Sequence, residues 1–165
     1  MLRALRQLLS LSTSATLVAA LVAVASPALA QKTDLTLGAG TITFPAPTAT
    51  DYINGFVNSA TGVTYTLDAT NGNGSHTTTV LIRATSANLG NGKLLGDLQW
   101  RRSDLSAWNS IGATNTQVEQ KIMIRGTLND PWSNTIFFRM VLDWTKDAPA
   151  VYTANYQMTL SQTVP

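Results

Sequence analysis

The residues able to carry chemistry are few and stand apart. His76 is the lone histidine, placed beside Gly74 and Ser75 after an Asn-Gly pair. A general base or a metal ligand needs partners within reach, and no second histidine exists to supply one. His76 therefore reads as a solvated turn residue. The carboxylates Asp34, Asp51, Asp68, Asp97, Asp104, Asp130, Asp143 and Asp147 are scattered, and Glu119 is the lone glutamate. Glycoside hydrolysis requires two carboxyls facing one cleft, and no spacing here selects a pair. Calcium favours clustered oxygens such as the D-x-[DN]-x-[DN]-G loop, which the chain lacks. Asp143, close to Asp147, is the best placed of them for an ion at a corner, against a plain role in turn formation. Cysteine is absent, which removes thiol nucleophiles, thiolate metal sites and disulfides. The expectation is no catalytic residue, no metal site and no cofactor: not an enzyme.

Tryptophan is the remaining candidate. Trp108 and Trp132 fall in stretches of Ser, Asn, Asp and Pro that read as loops. Their rings could stack on sugar, or cap the open end of a core and bury a large area there. They are the candidate ligand-binding residues. Trp100 shares the parity of Leu98, and Trp144 continues the inward parity of its strand, so both are expected in the core. Asn73-Gly74-Ser75 matches the glycosylation pattern, but reads better as part of the turn.

The elements that must position these residues are strands. Ile136, Phe138, Met140, Leu142 and Trp144 alternate with Phe137, Arg139, Val141 and Asp143; Tyr152, Ala154, Tyr156, Met158 and Leu160 alternate with Thr153, Asn155, Gln157 and Thr159. Alternation of this kind is what a half-buried antiparallel strand requires. Leu35 to Leu37 and Thr41 to Phe44 alternate on opposite parity across Gly38-Ala39-Gly40, which predicts a bulge or a change of sheet there. Val63, Tyr65 and Leu67 make a strand, and so do Thr78, Val80, Ile82 and Ala84. Asn71-Gly72-Asn73-Gly74 between them predicts a hairpin. A turn at Asn91-Gly92 precedes a strand from Leu94 to Arg101, and Val118, Ile122 and Ile124 mark the inward face of another. Phe44-Pro45-Ala46-Pro47 reads as an edge strand leaving its sheet. Seven to nine strands without an amphipathic helix predict an all-β fold, an immunoglobulin-like antiparallel β-sandwich.

The first thirty residues are different in kind. Arg3 and Arg6 precede an uncharged apolar stretch, and Ala28-Leu29-Ala30 closes it. That is the pattern of a signal peptide over 1–30, followed by a single domain over 31–165. The apolar part, about Ala15 to Ala25, falls short of the roughly 18 to 20 residues a spanning helix needs, so no membrane span is expected after cleavage. The chain has 11 Lys plus Arg and 9 Asp plus Glu. Loss of Arg3 and Arg6 balances the charges, so the mature domain has no basic field for nucleic acid or an anionic membrane. The expected location is secreted, extracellular or at the cell surface, with the periplasm as a further compartment.

The segment from Asp147 through Tyr152 to Ser161 resembles the closing strand of bacterial secreted immunoglobulin-like domains. A tyrosine at the start of such a strand folds its hydroxyl back onto the preceding corner. The last twenty or so residues, ending at Pro165, are also similar to the C-terminus of the WxL family of bacterial surface domains, while the Trp-x-Leu motif itself is replaced by the reverse order, Leu98-Gln99-Trp100. The resemblance implies fold and compartment, and for the family, cell-wall binding. Two readings follow: a non-catalytic structural or adhesive surface protein, or a polysaccharide- or peptidoglycan-binding module using Trp108 and Trp132. Its partners would be cell-wall glycan or other surface proteins.

Overall fold

In a computed structural model, residues 33–36, 40–69, 74–127 and 129–163 are described. The expected signal peptide lies outside them, as do Asn71, Gly72 and Asn73 of the expected hairpin turn. The chain is all-β, with two antiparallel sheets. One sheet has six strands: β1 (Thr33–Thr36), β3 (Phe56–Asn58), β4 (Val63–Ala69), β6 (Leu98–Arg102), β7 (Asn109–Ser110) and β9 (Trp132–Val141). The other has four: β2 (Thr41–Phe44), β5 (His76–Ala84), β8 (Thr116–Met123) and β10 (Tyr152–Thr163). The orders are β1-β4-β9-β6-β7, with β3 also on β9, and β2-β10-β5-β8. Among the described residues there are ten strands against the seven to nine expected; β3 and β7 are too short to show a period.

The alternating patterns of β9 and β10 put their apolar faces toward each other. Ile136, Phe138, Met140, Tyr152, Ala154, Tyr156 and Met158 are all buried. Phe138 of one sheet meets Tyr156 of the other with ring centroids 5.4 Å apart, so the core lies between the sheets. The parity change across Gly38 to Gly40 is a change of sheet, since β1 pairs with β4 and β2 with β10. β2 is an edge strand and ends before Pro45, which has no amide hydrogen to donate. Asn91 and Gly92 have φ of 49° and 76°, the left-handed pair of a type I′ turn.

Four sequence expectations are corrected. β4 and β5 do not form a hairpin: they lie in different sheets, because a turn signal sets a reversal of the chain but not the partner of the next strand. The strand expected from Leu94 starts at Leu98, after a 3-10 turn over Leu95–Asp97. A short helix, α1 (Ala49–Asn54), was not expected; Thr48 and Asp51 cap it reciprocally and Gly55 closes it in the left-handed region. With six residues and none buried, it leaves no hydrophobic period to read. Finally, Ile122 is exposed and not inward. Val80 pairs with Glu119 and Leu81 with Gln117, so Val118 is an extra residue on β8. One added residue reverses every later side chain, which turns Ile122 out and Glu119 and Met123 in.

Among the described residues no helix is long and apolar enough to cross a membrane.

Candidate functional site

The bulge in β8 builds a buried polar cluster. Glu119 is 3% exposed, and its Oε1 accepts from the Tyr65 hydroxyl at 2.5 Å and from Trp132 Nε1 at 2.9 Å. Arg102 Nη1 stands 3.2 Å from Glu119 Oε2, and Arg102 forks onto Asp104 at 2.9 and 2.6 Å. Burial pushes the Tyr65 hydroxyl far above its ordinary pKa, with the Glu119 hydrogen bond adding to the shift. A phenol held neutral and an acid paired inside the core tie the two sheets together.

Trp132 is thereby placed. It opens β9, half-buried, with its indole N–H spent on Glu119 and Lys121 Nζ 3.7 Å from its ring centre. A sugar stacking on that face of the ring would have to displace the ammonium.

His76 is corrected from a solvated turn residue to a buried one. It begins β5 at 1% exposure, opposite Met123, and neither ring nitrogen has a hydrogen-bond partner among the described residues. The Asn-Gly turn signal drew its reading toward the loop, whereas β5 starts at the histidine itself. Trp144 is corrected in the other direction. β9 ends at Val141, the chain turns through Asp143 to Lys146, and Trp144 stands 72% exposed with its edge on Tyr52. Trp100 is in the core as expected.

Asp143 closes this turn. Its carboxylate pairs with Lys146 and accepts from the Thr145 hydroxyl and amide, and Lys146 first, then Thr145, hold it well below the usual carboxylate range. Asp147 takes the buried Lys93 ammonium at 2.5 Å and the Asp143 amide at 2.6 Å. Both carboxylates are consumed by the corner, and among the described residues no three metal-capable side chains come together.

Trp108 has a different setting. It sits between β6 and β7 over the outward face of the six-stranded sheet, half-buried. The Arg139 guanidinium lies 4.4 Å from its ring centre and that of Arg101 5.1 Å. Arg101 also lies 5.3 Å from Phe137, and Arg139 lies 4.9 Å from Phe56. The result is a stack of three aromatic rings joined by two arginines. Strand register explains it: β6 and β9 set Arg101 opposite Phe137 and Gln99 opposite Arg139, and β3 sets Asn58 on the other side of Arg139. Gln99 Oε1 accepts from Arg139 Nε at 2.7 Å. Phe137 falls where β9 passes from β4 to β3, and Gly62 packs against it; a Cβ there would come within 2.8 Å of the Phe137 ring.

A depression of about 540 Å³ runs along this stack, with Asn58, Ser59, Ser106 and Gly62 completing its walls. Among the described residues neither Arg101 nor Arg139 has a carboxylate within ion-pair distance. Partial burial lowers the Arg139 pKa, and repulsion from Arg101 lowers it further. Two guanidiniums that share one indole ring, with no carboxylate in reach among the described residues, have the chemistry to receive an anion. The sequence held one signal for it: Phe137 and Arg139 on the outward parity of β9. What it did not hold was the return of Trp108 over them. In comparisons with known proteins, no family model, curated protein or solved structure matches this chain.

Proposed function

We propose that this chain is an exported, non-catalytic module acting by contact at a bacterial cell surface, built as an immunoglobulin-like sandwich. The fold reading is supported by the corner at Tyr152, whose hydroxyl donates to the Ala148 carbonyl at 2.6 Å just before β10, as in the tyrosine corner of such domains. The non-catalytic reading is supported by where the acids are spent: Glu119 on Tyr65 and Trp132, Asp104 on Arg102, Asp130 on the Ala69 and Gly126 amides, Asp147 on Lys93. The observation that carries the contact reading is the outward stack of Phe56, Arg139, Trp108, Arg101 and Phe137.

Glycan binding through tryptophans is the second reading; it is better supported for Trp108 than for Trp132, one face of whose ring carries Lys121. The test is retention of the mature chain on isolated bacterial envelope material. Arg101→Gln should abolish retention while Trp144→Ala leaves it intact. Equal retention of the wild type and Arg101→Gln would remove the sheet face from the account.

A further inference from the structure

Resting on the contact reading above, we propose that the Arg101–Trp108–Arg139 face binds a carboxylate-bearing polysaccharide, with a carboxylate of the polymer gripped by the two guanidiniums.

The charge argument comes first. Two like charges share one indole ring at 5.1 and 4.4 Å, and among the described residues no acid lies within ion-pair distance to offset their repulsion. Arg139 uses its Nε on Gln99 and has no protein acceptor for its Nη groups among the described residues; Arg101 uses Nη1 on the Leu105 carbonyl. Planar forks held against rings are pre-oriented, so little side-chain freedom is lost when they take a carboxylate. An anion seated there removes the repulsion and gains charge-assisted hydrogen bonds.

The walls argue for sugar. Asn58, Ser59 and Ser106 offer an amide and hydroxyls beside the rings of Phe56 and Phe137, the mixture of polar groups and apolar faces that a carbohydrate ring meets. Next along the same outward face, Thr64 pairs with Thr135 and Thr66 with Ser133 through their hydroxyls, a polar track beside the depression. The absence of a broad basic field argues against dense polyphosphate. Once Arg3 and Arg6 are set aside, the cations and acids of the chain balance at 9 each, and two arginines suit spaced carboxylates better than a continuous phosphate backbone.

The experiment titrates the mature chain with polygalacturonate, a neutral glucan and polyphosphate, with the melting temperature of every variant recorded. Polygalacturonate should bind, more weakly as salt rises, and Arg101→Gln or Arg139→Gln should weaken it about tenfold or more. Arg101→Lys and Arg139→Lys, which keep the charge but lose the fork, should lose part of the affinity, and they carry the test if a glutamine variant unfolds. No binding to polygalacturonate, or equal binding to polyphosphate, overturns the proposal. Failure here with envelope retention still dependent on Arg101 leaves the contact face standing and removes its acidic ligand; failure of both removes the two readings together.

Discussion

Glu119 Oε1 holds both the Tyr65 hydroxyl and the Trp132 indole N–H, which ties β8 of the smaller sheet to β4 and β9 of the larger. The acid is inward because of one extra residue in β8, and replacing it leaves the buried Tyr65 hydroxyl and the part-buried Trp132 N–H without that acceptor. Glu119→Leu should therefore cost about 3 kcal/mol or more. Trp132→Ala, which also deletes the ring, should cost about 3 kcal/mol. Urea unfolding of both variants checks this; an unchanged midpoint for Glu119→Leu would show that the cluster is not holding the sheets.

His76 is expected to weaken the fold it sits in. A buried imidazole whose nitrogens find no partner among the described residues is desolvated without return, and an apolar ring avoids that cost. His76→Phe should raise stability by about 1 kcal/mol. A loss of the same size would mean that a ring nitrogen has a partner.

The two faces of β9 should respond very differently. Met140 is fully buried and Arg139 lies outward. Met140→Asp should cost several kcal/mol, about the penalty of an unpaired buried charge, and so most of the stability of a typical domain. Arg139→Ser should change the melting temperature little. Equal losses would put the strand the other way round.

The strands around this site were legible where the alternation was long. β9 and β10 run for many residues with one apolar face, so Met140, Phe138 and Tyr152 fell inside as their parity required. The sheet change after β1 was one of the two outcomes that its change of parity allowed, and the fold-back of the Tyr152 hydroxyl onto Ala148 was implied by resemblance and not by local pattern. Glu119 was not legible, because a bulge leaves the same letters and changes only their facing. Trp144 was misread because parity carries no notice of where a strand stops. His76 was misread because the turn signal beside it was taken to include it. The Arg101–Trp108–Arg139 stack brings a loop over a sheet face, and no local pattern records that meeting.

Acid should weaken the fold partly through Asp104. Arg102, with smaller help from Asn134, lowers its pKa from 3.8 to about 2. A lowered carboxylate stabilises fully above its unfolded pKa, and the contribution is lost as pH falls from 3.8 through about 2. Asp104→Asn should make the melting temperature less steep in that window and leave its slope at neutral pH unchanged. Asp51, Asp130 and Asp143 are lowered as well, so the acid slope should shrink and not vanish. An identical slope in wild type and variant would show that Arg102 does not hold the acid.

The most direct measurement is the double variant Arg101→Gln/Arg139→Gln, followed at once by melting temperature and by retention on bacterial envelope material. A face kept for contact carries its repulsion at some expense to stability, so the variant should melt no lower than the wild type and lose retention. A melting temperature that falls while retention persists would make the stack a structural feature and contradict the account.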